Sequence, residues 1–111
     1  YSINEIAVEK VVALLDRARN EPRDLYDIWY LTSSQHVGIA ELIEAVEEKL
    51  EFRGKSLTDV REEFLRKESR FKKLWKIRLS SQMAFIPEFG QVYRAVQREF
   101  RQAGLLKQRK V

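Results

Sequence analysis

The chain has 111 residues and a mass of 13.2 kDa, enough for one domain around one core. It holds no Cys and one His, which excludes disulfides, thiolate metal sites, cysteine nucleophiles and any scheme that needs two imidazoles. The net charge of +4 hides a split: residues 1–50 carry 5 Lys/Arg against 10 Asp/Glu, a net of −5, while residues 51–111 carry 16 against 7, a net of +9.

Helical periodicity dominates from the start. Ser2-Ile3-Asn4-Glu5 reads as a capping box. It predicts a first helix to about Arg19, burying Ile3, Ile6, Ala7, Val11, Leu14, Leu15 and Ala18. Asn20-Glu21-Pro22 breaks it, and Pro22 suits the first position of a second helix, to about Thr32. After the loop Ser33–Gly38, a third helix is expected from Ile39 to Phe52, with Gly54 in the left-handed conformation beyond its end. A fourth, capped by Ser56 or Thr58, should run from Leu57 to Gln82 with a bend near Lys67–Ser69, burying Val60, Phe64, Leu65, Phe71, Leu74, Trp75 and Leu79. The last is expected from Glu88 to Ala103, ended by Gly104, and residues 105–111 read as a basic, fraying tail. No segment alternates strictly, so no strand is predicted. The expectation is an all-α fold, about five helices in a single helical domain over residues 1–111. No apolar run approaches the roughly 20 residues of a membrane span, and there is no signal peptide, so no membrane partner and a cytoplasmic location are expected.

The chemistry concentrates in residues 10–27. On a helical wheel Lys10 falls inside the apolar arc of the first helix, and Arg17 lies in nearly the same direction about 10 Å further on. A cation on a buried face needs a partner. Asp24 and Asp27, three residues apart, present both carboxylates on one side of the next helix, and Asp24 lies in its first turn, where the helix dipole favours an anion. A short connection favours antiparallel packing. That places Asp24 nearest Arg17, and Asp27 closer to Lys10 than Asp24 is. Such a cluster could hold a phosphate, position Mg²⁺ or accept a proton. The same residues also fit a purely structural role: Lys10 reaching out to solvent, Asp24 supporting the helix start, Arg23 bridging to Asp27. Elsewhere, Trp29 and Trp75 read as core, His36 as surface, and Ser33-Ser34 and Ser80-Ser81 as caps or turns. Residues 61–68 read as surface ion pairing, and no phosphate-cradling Gly-rich loop is present.

These residues carry a resemblance. Glu5-Ile6-Ala7-Val8-Glu9-Lys10, then Ala13-Leu14-Leu15-Asp16-Arg17-Ala18-Arg19, then Pro22-Arg23-Asp24-Leu25-Tyr26-Asp27-Ile28-Trp29-Tyr30-Leu31 resemble the AbiEii/AbiGii toxin family of nucleotidyltransferase-like proteins from toxin–antitoxin and phage-defence systems. Trp75, Leu79, Gln82, Phe89, Val92 and Phe100 are similar to the family's closing run. The resemblance implies transfer of a nucleotide from an NTP, with Mg²⁺, to an acceptor such as RNA. It implies Lys10, Asp24 and Asp27 as catalytic residues and Arg17, Arg19 and Arg23 as phosphate-binding ones. The family's Gly-Ser and Asp-x-Asp motifs, whose carboxylates hold the metal, are absent from this sequence. The chain, which begins at Tyr1, is therefore expected to be the helical C-terminal portion of an α/β protein. By itself it would hold neither metal nor NTP, and its partners would be a missing N-terminal nucleotidyltransferase domain, an RNA acceptor, an antitoxin or a second copy. The alternative is a free-standing helical module that binds nucleic acid or protein through its basic half.

Overall fold

Ser2 closes the first helix as the capping box requires, its hydroxyl accepting from the Glu5 N–H at 3.1 Å. The computed structural model describes residues 2–57 and 62–106. It contains α1 (Ile3–Leu14), α2 (Pro22–Ser34), a 3-10 turn (Ile39–Leu42), α3 (Ile43–Phe52), α4 (Glu63–Arg66), α5 (Glu68–Leu79) and α6 (Phe89–Gln102), with no strand among the described residues. The all-α expectation holds. α1 packs on α2 and α3, while α2 also lies against α5 and α6. Thr58, Val60 and tail residues 107–111 lie outside the described residues.

The core joins an aliphatic half to an aromatic one. Val8, Val11, Leu14 and Leu15 of α1 and its end meet Leu25 and Ile28 of α2. Under α6 the filling is rings: Phe64 stacks on Tyr93 at 4.7 Å and tilts against Phe100 at 4.9 Å, while Trp75 meets Phe89 edge-on at 5.4 Å. The Trp75 indole N–H donates to the Pro87 carbonyl at 2.8 Å, tying α5 to the connector before α6. Burial pushes the Tyr93 phenol above its ordinary pKa. Trp75 is core as expected, and Trp29 is half-buried beside Tyr26.

Several boundaries differ from the sequence expectation: α3 begins at Ile43, after the 3-10 turn, rather than at Ile39, α5 ends at Leu79 rather than Gln82, and three further differences have a visible cause. α1 stops at Leu14 rather than near Arg19. There the Asp16 carboxylate accepts from the Ala18 N–H at 2.9 Å, turning the chain. Lys67 supplies the other reason. Its ammonium donates to the carbonyls of Leu14 at 2.5 Å, Asp16 at 2.6 Å and Arg19 at 2.8 Å, taking acceptors a longer helix would have used internally. The expected long fourth helix is interrupted at that same Lys67, which separates α4 from α5. Finally, Leu105 and Leu106 do not begin a frayed tail. Gly104, at φ +82°, lets the Leu105 N–H return to the Phe100 carbonyl at 2.9 Å, and both leucines fold into the core. Gly54, at φ +74°, closes α3 in the same way, as the sequence predicts.

Burial also corrects several side-chain assignments. Ile3, Ile6 and Leu65 are exposed rather than core, as is Ala18 in the turn after α1. Lys67, read with its neighbours as surface, is 4 % exposed.

Burial pushes the Lys67 ammonium down to about 8 from 10.5, although Asp16, Glu63 and Asp24 pull it upward. The unfolded chain keeps this proton up to the ordinary value, so between about pH 8 and 10.5 unfolding takes up a proton. In that window the lysine makes the folded state gain stability as pH rises. Lys67→Met should cost about 2–3 kcal/mol at neutral pH by leaving the Leu14 and Arg19 carbonyls without their donor and the Asp16 carbonyl with only the Arg19 N–H. The gap between wild type and variant should widen from pH 8 to 10, as read by urea titrations. A gap that is constant or narrows with pH would contradict the depressed lysine.

Candidate functional site

Lys10 lies midway along α1, and α2 returns antiparallel beside it. The start of α2 is set locally. Pro22 takes its first position, and the Glu21 carboxylate accepts from the Arg23 N–H at 3.2 Å. This places Asp24 third in the helix and Asp27 one turn on, both turned toward α1.

The Lys10 Nζ lies 2.8 Å from Asp27 Oδ2 and 3.8 Å from Asp24 Oδ1, so Asp27 is the nearer carboxylate, as antiparallel packing predicts. The Lys10 side chain keeps 32 % of its surface exposed. Asp24 is 1 % exposed. It is gripped by the guanidinium fork of Arg19, with Nε to Oδ2 at 2.6 Å and Nη2 to Oδ1 at 3.2 Å. The hydrogen bonds from Arg19 to Asp24, with their charge, raise the Arg19 pKa further above its ordinary value. Arg23 donates from Nε to Asp27 Oδ1 at 2.8 Å and from Nη1 to Gln82 Oε1 at 2.7 Å, and its guanidinium lies over the Tyr26 ring. The bond to Asp27 raises the Arg23 pKa, partly offset by burial.

Five of the six expected residues therefore converge: Lys10, Arg19, Arg23, Asp24 and Asp27. Arg17 does not. It is exposed in the turn after α1, and among the described residues it joins no ion pair. Because α1 ends three residues before Arg17, the wheel that aligned it with Lys10 does not extend that far. Arg19 takes the position expected of Arg17.

A cleft of about 330 Å³ opens beside the cluster, lined by Glu9, Lys10, Asp16, Arg19, Asp24 and Arg53. Its size is in the range of small-ligand pockets. The carboxylates do not fit a resident Mg²⁺. Asp24 and Asp27 spend their oxygens on Arg19, Lys10 and Arg23, and among the described residues no group of three or more His, Cys, Asp or Glu could hold a metal. The arrangement offers instead a partly open ammonium backed by two carboxylates, with two further guanidiniums on the rim.

Sequence reasoning missed Lys67, Gln82 and Arg53. For Lys67 the signal was present: it lies three residues after Phe64 and four before Phe71, inside the apolar stripe, as Lys10 does on α1. Gln82, which carried part of the family resemblance but no expected role, and Arg53 reach the site from distant parts of the chain, which no local pattern reveals.

The model of one protein family matches residues 1–103; that family is described as the nucleotidyl transferase AbiEii toxin of a Type IV TA system. No curated protein and no solved structure matches the chain.

Each carboxylate of the cluster keeps an arginine when Lys10 is removed, whereas Asp24 leaves a buried gap and an unpaired fork. Lys10→Ala should change stability by less than about 1 kcal/mol, and Asp24→Ala should cost about 1–3 kcal/mol. Equal losses in thermal and urea unfolding would show that Lys10 is as structural as Asp24.

Proposed function

Starting from a chain that belongs to the AbiEii nucleotidyl transferase toxin family, we propose that it is the helical C-terminal portion of a nucleotidyl transferase that moves a nucleotide from an NTP to an acceptor such as RNA. The observation that carries this reading is the state of Lys10, held 2.8 Å from Asp27 yet one-third exposed at the edge of a cleft whose lining mixes Lys10, Arg19 and Arg53 with Glu9, Asp16 and Asp24. Lys10 can exchange a carboxylate for a phosphate oxygen without unfolding anything, because Arg23 remains to neutralise Asp27.

Lys10 binds the NTP phosphates in this reading. Asp27 aims the ammonium or accepts a proton, while Asp24, locked by Arg19, holds the α1–α2 corner in register. Arg19 and Arg53 add positive charge along the cleft, and Arg23 fixes Asp27 from behind. Arg17 remains available only to a ligand that extends beyond the turn. Nucleotidyl transferases use Mg²⁺ to draw charge off the reacting phosphate. The two site carboxylates are committed to cations, so the metal ligands belong to the proposed N-terminal domain. The exposed Ile3 and Ile6 on α1 are suited to lie beneath that domain. An antitoxin partner follows from the family's place in a toxin–antitoxin system. No helix of the described residues is long and apolar enough to cross a membrane.

The 111-residue chain, incubated with each labelled NTP and Mg²⁺, should transfer nothing above a blank; activity in this chain would overturn the division of labour. In the protein carrying the nucleotide-binding core, Lys10→Ala should remove transfer by a factor of about 100 or more while the fold is retained. Normal transfer by that variant would sink the assignment.

A further inference from the structure

α5 turns Phe71, Trp75 and Leu79 inward and leaves Arg70, Lys72, Lys73 and Lys76 exposed. Glu68 is the one acidic residue of that helix. Among the described residues none of the four cations joins an ion pair, whereas Arg78, on the other flank, lies 3.9 Å from Glu21. Like charges gathered on one face repel each other and remain there at a cost unless a polyanion covers them.

Apolar surface stands among these charges. Ile77 is 71 % exposed on the outer face of α5, and Phe85 is 82 % exposed on the connector that follows. Between helix and connector runs a cleft of about 510 Å³, lined by Lys72, Lys73 and Lys76 on one wall and Ile86 and Pro87 on the other, with Glu88 also at its edge. Phe85 is next in sequence to that apolar wall, and α6 leaves its ring uncovered.

An acidic protein would satisfy the lysines alone. Lysines beside an uncovered ring match single-stranded nucleic acid more fully, since phosphates track the cations and a base stacks on the aromatic face. Just past α5, Gln82 ties the helix to the Lys10 cluster: its amide donates to the Arg78 carbonyl at 3.2 Å and accepts from Arg23 at 2.7 Å, and Arg23 in turn holds Asp27. A strand passing that end of the helix arrives at the site.

We propose that the exposed face of α5, with Phe85, binds single-stranded RNA and serves as the track for the acceptor strand. Only the word acceptor rests on the transfer reaction proposed above; the binding itself needs neither NTP nor metal.

Fluorescence anisotropy of a labelled 12-nucleotide single-stranded RNA, titrated with the 111-residue chain over a range of salt, tests it. Affinity should fall steeply as salt rises. Replacing Lys72, Lys73 and Lys76 together by Gln should weaken binding at least about tenfold and flatten the log–log salt slope by about 2. Phe85→Ala should weaken binding about 5- to 100-fold with the slope unchanged. All four side chains project outward, so circular dichroism should show wild-type helix content in each variant. RNA binding that ignores the triple substitution would overturn the proposal. So would displacement of the RNA by polyglutamate as readily as by unlabelled RNA, with Phe85→Ala silent, which would assign the face to an acidic protein. If Lys10→Ala transfers nucleotide normally while RNA binding still depends on the α5 lysines, the Lys10 site fails and this surface stands.

Discussion

A single buried ammonium organises the corner on which the site is built. Lys67 comes from the junction of α4 and α5 and places three hydrogen bonds on the connection between α1 and α2. The Leu14 carbonyl is buried at a helix end and the other two lie in the turn that follows, where, among the described residues, only Asp16 also accepts a backbone N–H, from Arg19 at 3.1 Å. The lysine is charged against a desolvation penalty, visible in its lowered pKa, and Asp16, Glu63 and Asp24 offset part of it. Its grip ends α1 at Leu14. The next residues can then turn, so that Arg19 rather than Arg17 points at the start of α2.

From that turn the charge order of the site follows. Arg19 closes on Asp24, the most buried carboxylate of the cluster, with both oxygens engaged. Asp24 is thereby fixed, and its neighbour Asp27 becomes the movable member, shared between Arg23 and Lys10. A carboxylate with two cationic partners can release one at modest cost, because the remaining pair keeps it neutralised. A carboxylate held by one guanidinium fork beside another shared between two cations is the arrangement on which the proposed phosphate role of Lys10 rests. It also explains why the pair is poorly suited to a metal ion: the cations already occupy the oxygens.

The outer surface divides along the same lines as the sequence charge. The acidic first half contributes the carboxylates of the site and the Glu-rich outer face of α3. The basic second half displays its unpaired lysines on α5, whose C-terminal end meets the beginning of α2 through Gln82 and Arg78. α5 is thus the element that connects core, site and surface. Trp75 and Phe71 anchor it, Lys67 pins its beginning, and its outward face remains free for a partner.

The local pattern of residues determined a great deal here. Apolar spacing made the chain all-α, Ser2 and Pro22 marked two helix starts, and Gly54 and Gly104 marked two ends, because capping and left-handed turns depend on neighbours a few residues away. Lys10, Asp24 and Asp27 were legible as a cluster for the same reason: helix registers and one short connection fix their approach. The choice of Arg19 over Arg17, the burial of Lys67 and the arrival of Gln82 and Arg53 were decided only by the tertiary structure. Each depends on a partner far along the chain, 48 to 53 residues away for Lys67 and 59 for Arg23 with Gln82. A helical wheel assumes that the helix continues, and α1 stopped because a lysine from elsewhere took its last carbonyls.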